Sequence, residues 1–139
     1  MKNKEKLLQT FNAMCKNTLM ETLDIEYIDV GTDFLVARMP VTSKVHQPDG
    51  VLNGGATLAL AESVGSPMSM LAIDSEKFMV RGIQMSANHV GSVREGYVIA
   101  TATFIHKGRS TQVIEINIKS DAGKLVSICK LTNMIIERR

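Results

Sequence analysis

The chain has 139 residues, one domain on the usual scale of roughly 100–200 residues each, and can bury on the order of two-thirds of its unfolded surface without a disulfide or metal staple. Hydrophobic residues make up 45% and charged residues 22%, ordinary globular usage that excludes a disordered tail protein. Sixteen Lys and Arg against fourteen Asp and Glu leave a net charge of +2, which argues against a dedicated nucleic-acid binder, since that needs a concentrated basic stripe.

The opening MKNKEKLLQT lacks the apolar core of a signal peptide, and no apolar run reaches the roughly 20 residues of a membrane span. Residues 2–20 read as a helix, with Leu7, Leu8, Phe11, Met14 and Cys15 at three- and four-residue spacing. Alternation then takes over in two runs, 23–30 and 34–41, separated by Gly31-Thr32-Asp33, a hairpin pattern. Val45 to Gly50 is a loop containing the turn Pro48-Asp49-Gly50.

From Gly54 to about Ile73 the period becomes helical and apolar almost all round, the mark of a buried helix. Pro67 lacks the N–H for an intrahelical bond, so this helix is expected to kink or end near Ser66. Four strand-like runs follow, 78–90, 96–106, 111–119 and 125–136, broken at glycine-bearing turns. Cys15 and Cys129 have neither CxxC spacing nor a neighbouring His cluster. That excludes structural zinc and points to two free thiols in a reducing cytoplasm.

Helix, two strands, one buried helix and four strands predict an α+β fold: a curved antiparallel sheet around a central helix, plus an N-terminal helix, in a single domain over 1–139. The open sheet edges call for a partner, and edge-to-edge dimerisation would supply it.

At about 100° per residue, Leu60, Val64, Met68 and Leu71 share one face of the central helix. Gly55, Ala59, Glu62 and Ser66 share the other. A carboxylate among small apolar neighbours is desolvated unless partnered, which suits it to proton transfer or attack; the plain alternative is a solvent-facing or ion-paired Glu. Asn53 is a favoured N-cap, and Gly54-Gly55 expose backbone N–H groups at the positive end of the helix dipole. Such a start either caps and packs tightly or holds an anion, including the oxyanion of an acyl-transfer intermediate. Glu62 lies about 12 Å along the axis from Gly54, too far for both to act on one carbonyl within a single chain. Two antiparallel helices across a two-fold axis would bring them together.

The stretch Gln47-Pro48-Asp49-Gly50-Val51-Leu52-Asn53-Gly54-Gly55-Ala56, continuing through Leu60-Ala61-Glu62-Ser63-Val64-Gly65-Ser66, resembles the signature of hotdog-fold acyl-CoA thioesterases. The resemblance is to the group that includes 4-hydroxybenzoyl-CoA, phenylacetate-pathway and 1,4-dihydroxy-2-naphthoyl-CoA thioesterases. Ala87-Asn88-His89-Val90-Gly91-Ser92 and His106-Lys107-Gly108-Arg109-Ser110 match in place and spacing, and the likeness runs from about residue 12 to 136.

The resemblance implies that Glu62 is the catalytic base or nucleophile and that the Gly54 N–H polarises the thioester carbonyl. It implies that Gln47 lines the thioester or orients water and that Ser66 helps position water. His89 would lie near the acyl group, and Arg109, Ser110 and Thr111 would meet the CoA nucleotide and phosphates. It further implies an acyl-CoA substrate, no cofactor or metal, and a homodimer or a tetramer built as a dimer of dimers, without nucleic-acid or membrane partners. One departure is plain: Asn53 stands where many relatives carry His. Its amide can still donate to a carbonyl oxygen but takes no proton near neutral pH.

Read from the residues alone, Gln47 is held extended before Pro48, as either a loop residue or a ligand. His89 is either a satisfied core histidine or a pocket residue, and Lys107-Gly108-Arg109 is either an exposed basic turn or a phosphate contact. Nine Met against four Phe and two Tyr suit an adaptable apolar pocket as well as ordinary core filling. A non-catalytic acyl-CoA-binding or sensing protein on the same scaffold is the alternative function. A dehydratase is disfavoured because no His–carboxylate pair is evident near Glu62.

Overall fold

A computed structural model describes residues 3–139. Chain order is α1 (Lys4–Met14), α2 (Leu19–Thr22), β1 (Glu26–Val30), β2 (Phe34–Pro40), a 3-10 turn (Ser43–Val45), α3 (Gly54–Met70), β3 (Phe78–His89), β4 (Tyr97–Lys107), β5 (Thr111–Ser120) and β6 (Leu125–Glu137). The six strands form one antiparallel sheet in the order β1-β2-β4-β5-β6-β3. α3 packs against β2, β3, β4, β5 and β6, so one helix fills the concave side, as the apolar run predicted.

The helix faces fall as the rotation predicts, except that Leu71, placed on the bulky face, is the half-buried residue that caps α3 after Met70. Leu60, Val64 and Met68 are fully buried against inward-facing Leu35, Ala37, Met39, Ile114, Ile116 and Leu131. Gly55 and Glu62 are exposed, and Ala59 and Ser66 are half-buried. Fully burying one Leu or Val side chain is worth about 1.5–3 kcal/mol, so the bulky face sets how α3 rolls on the sheet and leaves the small face outward.

Three boundaries differ from the sequence reading. The expected helix over 2–20 is two pieces: α1 ends at Met14, Asn17 is left-handed (φ 60), and Thr18 restarts the chain by accepting from the Met20 N–H. Lys2, included in that expected helix, lies outside the described residues. The first strand starts at Glu26 rather than 23, because Leu23 caps α2 and Asp24 is also left-handed (φ 56).

The third difference is at Pro67, which neither ends nor breaks the helix; α3 continues to Met70. Proline removes the N–H that would reach the carbonyl four residues back. Here that orphan is Ser63 O, and the Tyr27 hydroxyl donates to it. Burial pushes the Tyr27 hydroxyl pKa well above its ordinary range, so it stays protonated as the donor. A side chain from β1 thus supplies the bond that the helix backbone lacks.

Candidate active site

The residues of the motif separate into two groups along α3. At its start, the Asn53 side chain accepts from the Gly55 N–H at 2.6 Å, a helix cap, and the neighbouring Gly54 is half-buried. Gln47, Gly54, Thr57 and His89 line a cavity of about 260 Å³, closed by Val51 and Val126. Gln47 is held beside it by donating to Asp49 Oδ1 at 3.0 Å.

His89 reaches this cavity from the end of β3. Its Nε2 lies 3.0 Å from the point where a Cβ on Gly54 would sit, so glycine there leaves room for the imidazole. On the other side of the ring, Nδ1 meets Ser127 Oγ at 2.9 Å. Ser127 Oγ also reaches Asn88 O at 3.2 Å and Cys129 Sγ at 3.5 Å, so the ring is anchored on its Nδ1 side and Nε2 faces the helix start. Ser127 is fully buried, so this orientation is set from within the sheet. His89 itself is exposed and borders the cavity, so it is not a core histidine.

Two turns further along, Glu62 and Ser66 share a second hollow of about 300 Å³ with Leu19, Met20, Pro67 and Val80. Its walls are mostly apolar, and among the described residues Glu62 is the only charged side chain lining it. The carboxylate makes no ion pair within the described chain and is exposed, so within one chain it is solvent-facing rather than the desolvated carboxylate expected from its small apolar neighbours.

Arg109, Ser110 and Thr111 join neither cavity. Thr111 pairs with Met134, and Met134 pairs with Arg81, so the β4–β5 turn lies at the Gly82 end of the sheet. His89 pairs with Ser127 at the opposite end, roughly 23 Å further along β3 at 3.3 Å per residue. Arg109 and Ser110 are exposed and Thr111 is half-buried.

Sequence reasoning missed four residues that shape these sites: Tyr27, Gly82, Ser127 and Asn133. A glycine inside the strand run 78–90 is itself a signal of close approach, and the parity of Cys129, Leu131 and Asn133 along β6 marks Asn133 as inward-facing. Ser127 shares that parity and Tyr27 continues the alternation of Leu23 and Ile25, but nothing local says which polar group each one meets.

This fold agrees with what similarity shows. The thioesterase superfamily model matches residues 49–127, and the chain belongs to that superfamily, with the hotdog fold. It is a hydrolase acting on thioesters. It is 40% identical over 129 residues to the 1,4-dihydroxy-2-naphthoyl-CoA hydrolase of Escherichia coli (strain K12), covering 93% of this chain and 94% of that protein. A mutant thioesterase of Pseudomonas aeruginosa superposes with a TM-score of 0.92 at 39% identity, covering 94% of each chain. A thioesterase of Haemophilus influenzae superposes with a TM-score of 0.90 at 40% identity, covering 94% of this chain and 90% of that one. No helix among the described residues is long and apolar enough to cross a membrane.

Proposed function

We propose that the chain hydrolyses an aromatic or medium-chain acyl-CoA to the free acid and CoA, in sites shared between two copies. The observation that carries this reading is the division of α3. Its start offers N–H groups beside a cavity without an acid, and its middle offers an acid without N–H donors. In one chain the two stand about 12 Å apart along the helix, and a two-fold-related copy would close that gap.

In the shared site, the Gly54 N–H of one copy polarises the thioester carbonyl. Glu62 of the other either removes a proton from water, which attacks the carbonyl carbon, or attacks it directly to give an anhydride that water then opens. In both routes the C–S bond breaks and CoA leaves as a thiolate that takes up a proton. Ser66 and Gln47 orient the water and the thioester, His89 borders the acyl group, and Arg109, Ser110 and Thr111 meet the CoA nucleotide and phosphates. Asn53 serves as cap and as an amide donor, without proton transfer. A dimer, or a tetramer built from two, is the assembly this reading requires, and a cytoplasmic location follows from the free thiols.

The test is released thiol across aromatic and aliphatic acyl-CoAs, with wild type beside Glu62→Ala and Glu62→Gln. Turnover lost in both variants supports the reading, and equal turnover by all three proteins removes Glu62 from the mechanism. A wild type that binds acyl-CoA tightly without releasing thiol would favour the sensing alternative.

A further inference from the structure

Gly82 is out of place for a strand that must pair along most of its length. Its φ is not in the left-handed region, so the backbone there does not require glycine. A Cβ at Gly82 would lie 2.7 Å from Glu62 Oε1, 3.3 Å from Leu131 Cδ1 and 3.6 Å from Asn133 Oδ1, so any side chain there obliges the flexible Glu62 carboxylate to move. Gly82 and Asn133 are direct partners across β3 and β6, beside the register shift between Gly82 and Gln84, a bulge of the kind that re-aims groups next to sites.

Asn133 is fully buried. Its Nδ2 donates to Ser69 Oγ at 2.8 Å and to Gly65 O at 3.1 Å, which ties the amide plane to α3. Its Oδ1 has no partner among the described residues. A buried acceptor left unmade costs on the order of 1–3 kcal/mol, and this one abuts the same vacant point as the Glu62 carboxylate.

We propose that Gly82 and Asn133 are positioning residues that form the seat of the Glu62 carboxylate: Gly82 by leaving open the space beside it, Asn133 by holding an acceptor at the edge of that space. This rests on the reading that Glu62 works on the thioester, in its general-base form. Ionised Glu62 and Asn133 Oδ1 are both acceptors and make no bond. Once Glu62 has taken the proton from the attacking water, its O–H donates to Oδ1. The bond is released when that proton passes to the departing thiolate, so no atom or charge is left over. The charged residues nearest in sequence to the lining of the hollow, Glu21 after Met20 and Arg81 after Val80, stand outside its lining.

The experiment uses the intact homo-oligomer with benzoyl-CoA and hexanoyl-CoA, reading kcat and KM from released thiol and folding from the melting temperature. Gly82→Ala is expected to lower kcat on the order of 10–100-fold, the scale of a 1 Å misplacement, with KM and melting little changed. In a Glu62→Asp background, where the shorter acid withdraws from the vacant point, the same change should cost almost nothing further. Asn133→Ser, which cannot reach the carboxyl, should lower kcat without raising KM. If Asn133→Ser fails to fold, Gly82→Ala with its Glu62→Asp partner decides alone. Wild-type kcat in Gly82→Ala, or an equal loss in both backgrounds, overturns the seat while leaving Glu62 in the mechanism. Full turnover by Glu62→Gln removes the reading beneath it as well, so the two failures are told apart.

Discussion

At its first turn α3 is enclosed by its own chain: Asn53 caps it, His89 lies over Gly54 from the end of β3, and the Gln47 loop completes a cavity. Two turns on, the same helix opens outward. Glu62 is exposed, its hollow is mostly apolar, and what steadies the helix there comes from beneath, through Tyr27 at Ser63 and Asn133 at Gly65 and Ser69. The first region has donors and no acid; the second has an acid and no donors. Neither is a complete hydrolytic site alone, and each supplies what the other lacks. The outward face of a helix is therefore where a second copy has the most to contribute.

The largest expected effect tests the second region. Glu62→Gln should lower kcat by about 10²–10⁴-fold, the usual worth of a positioned acid–base group, with an unchanged melting temperature because the carboxylate is exposed and unpaired. Next, mixing subunits tests whether the regions meet across copies. A Gly54→Val chain and a Glu62→Gln chain, each inactive alone, should regain about one quarter of wild-type activity when randomly mixed. Half the dimers are then mixed and hold one intact site of two. No recovery would place both groups in one chain and break the comparison.

Smaller effects sharpen it. Tyr27→Phe orphans the Ser63 carbonyl and should cost about 1–3 kcal/mol in urea unfolding. Adding Pro67→Ala, which restores a backbone N–H four residues on, should recover much of that loss. Asn53→Ala removes the cap at the first region and should cost about 1 kcal/mol, whereas Asn53→Asp should stay close to wild type.

The smallest effect is in alkali. Burial raises the Tyr27 pKa above its ordinary 10.0 in the folded chain. Its contribution to stability is complete below about pH 10 and declines above it, as the unfolded chain loses the proton and the folded one keeps it. The buried thiols of Cys15 and Cys129, also raised from 9.0 by burial, add the same sign from about pH 9. Denaturant midpoints should therefore fall with rising pH in that window, and less steeply in Tyr27→Phe.

Much of this was readable before any coordinates. The strand periods, the two faces of α3 and the cap at Asn53 follow from alternation and 3.6-residue rotation, which act between residues close in the chain; the exposure of Glu62, expected to be desolvated, does not. Two left-handed residues, Asn17, which splits the N-terminal helix, and Asp24, which delays β1, left no period to read. The helix through Pro67 ran against local expectation because the compensating hydroxyl sits thirty-six residues away.

What the amino-acid order determined by itself was the set of elements, the face each one buries and the residue types that carry the chemistry, because chain geometry and apolar spacing are local. Only the tertiary structure decided which groups share a place: His89 above Gly54, Tyr27 beneath Ser63, and Glu62 and Asn133 both beside Gly82. Those juxtapositions depend on strand register and on how α3 rolls on the sheet, and both are set by packing summed over the whole core.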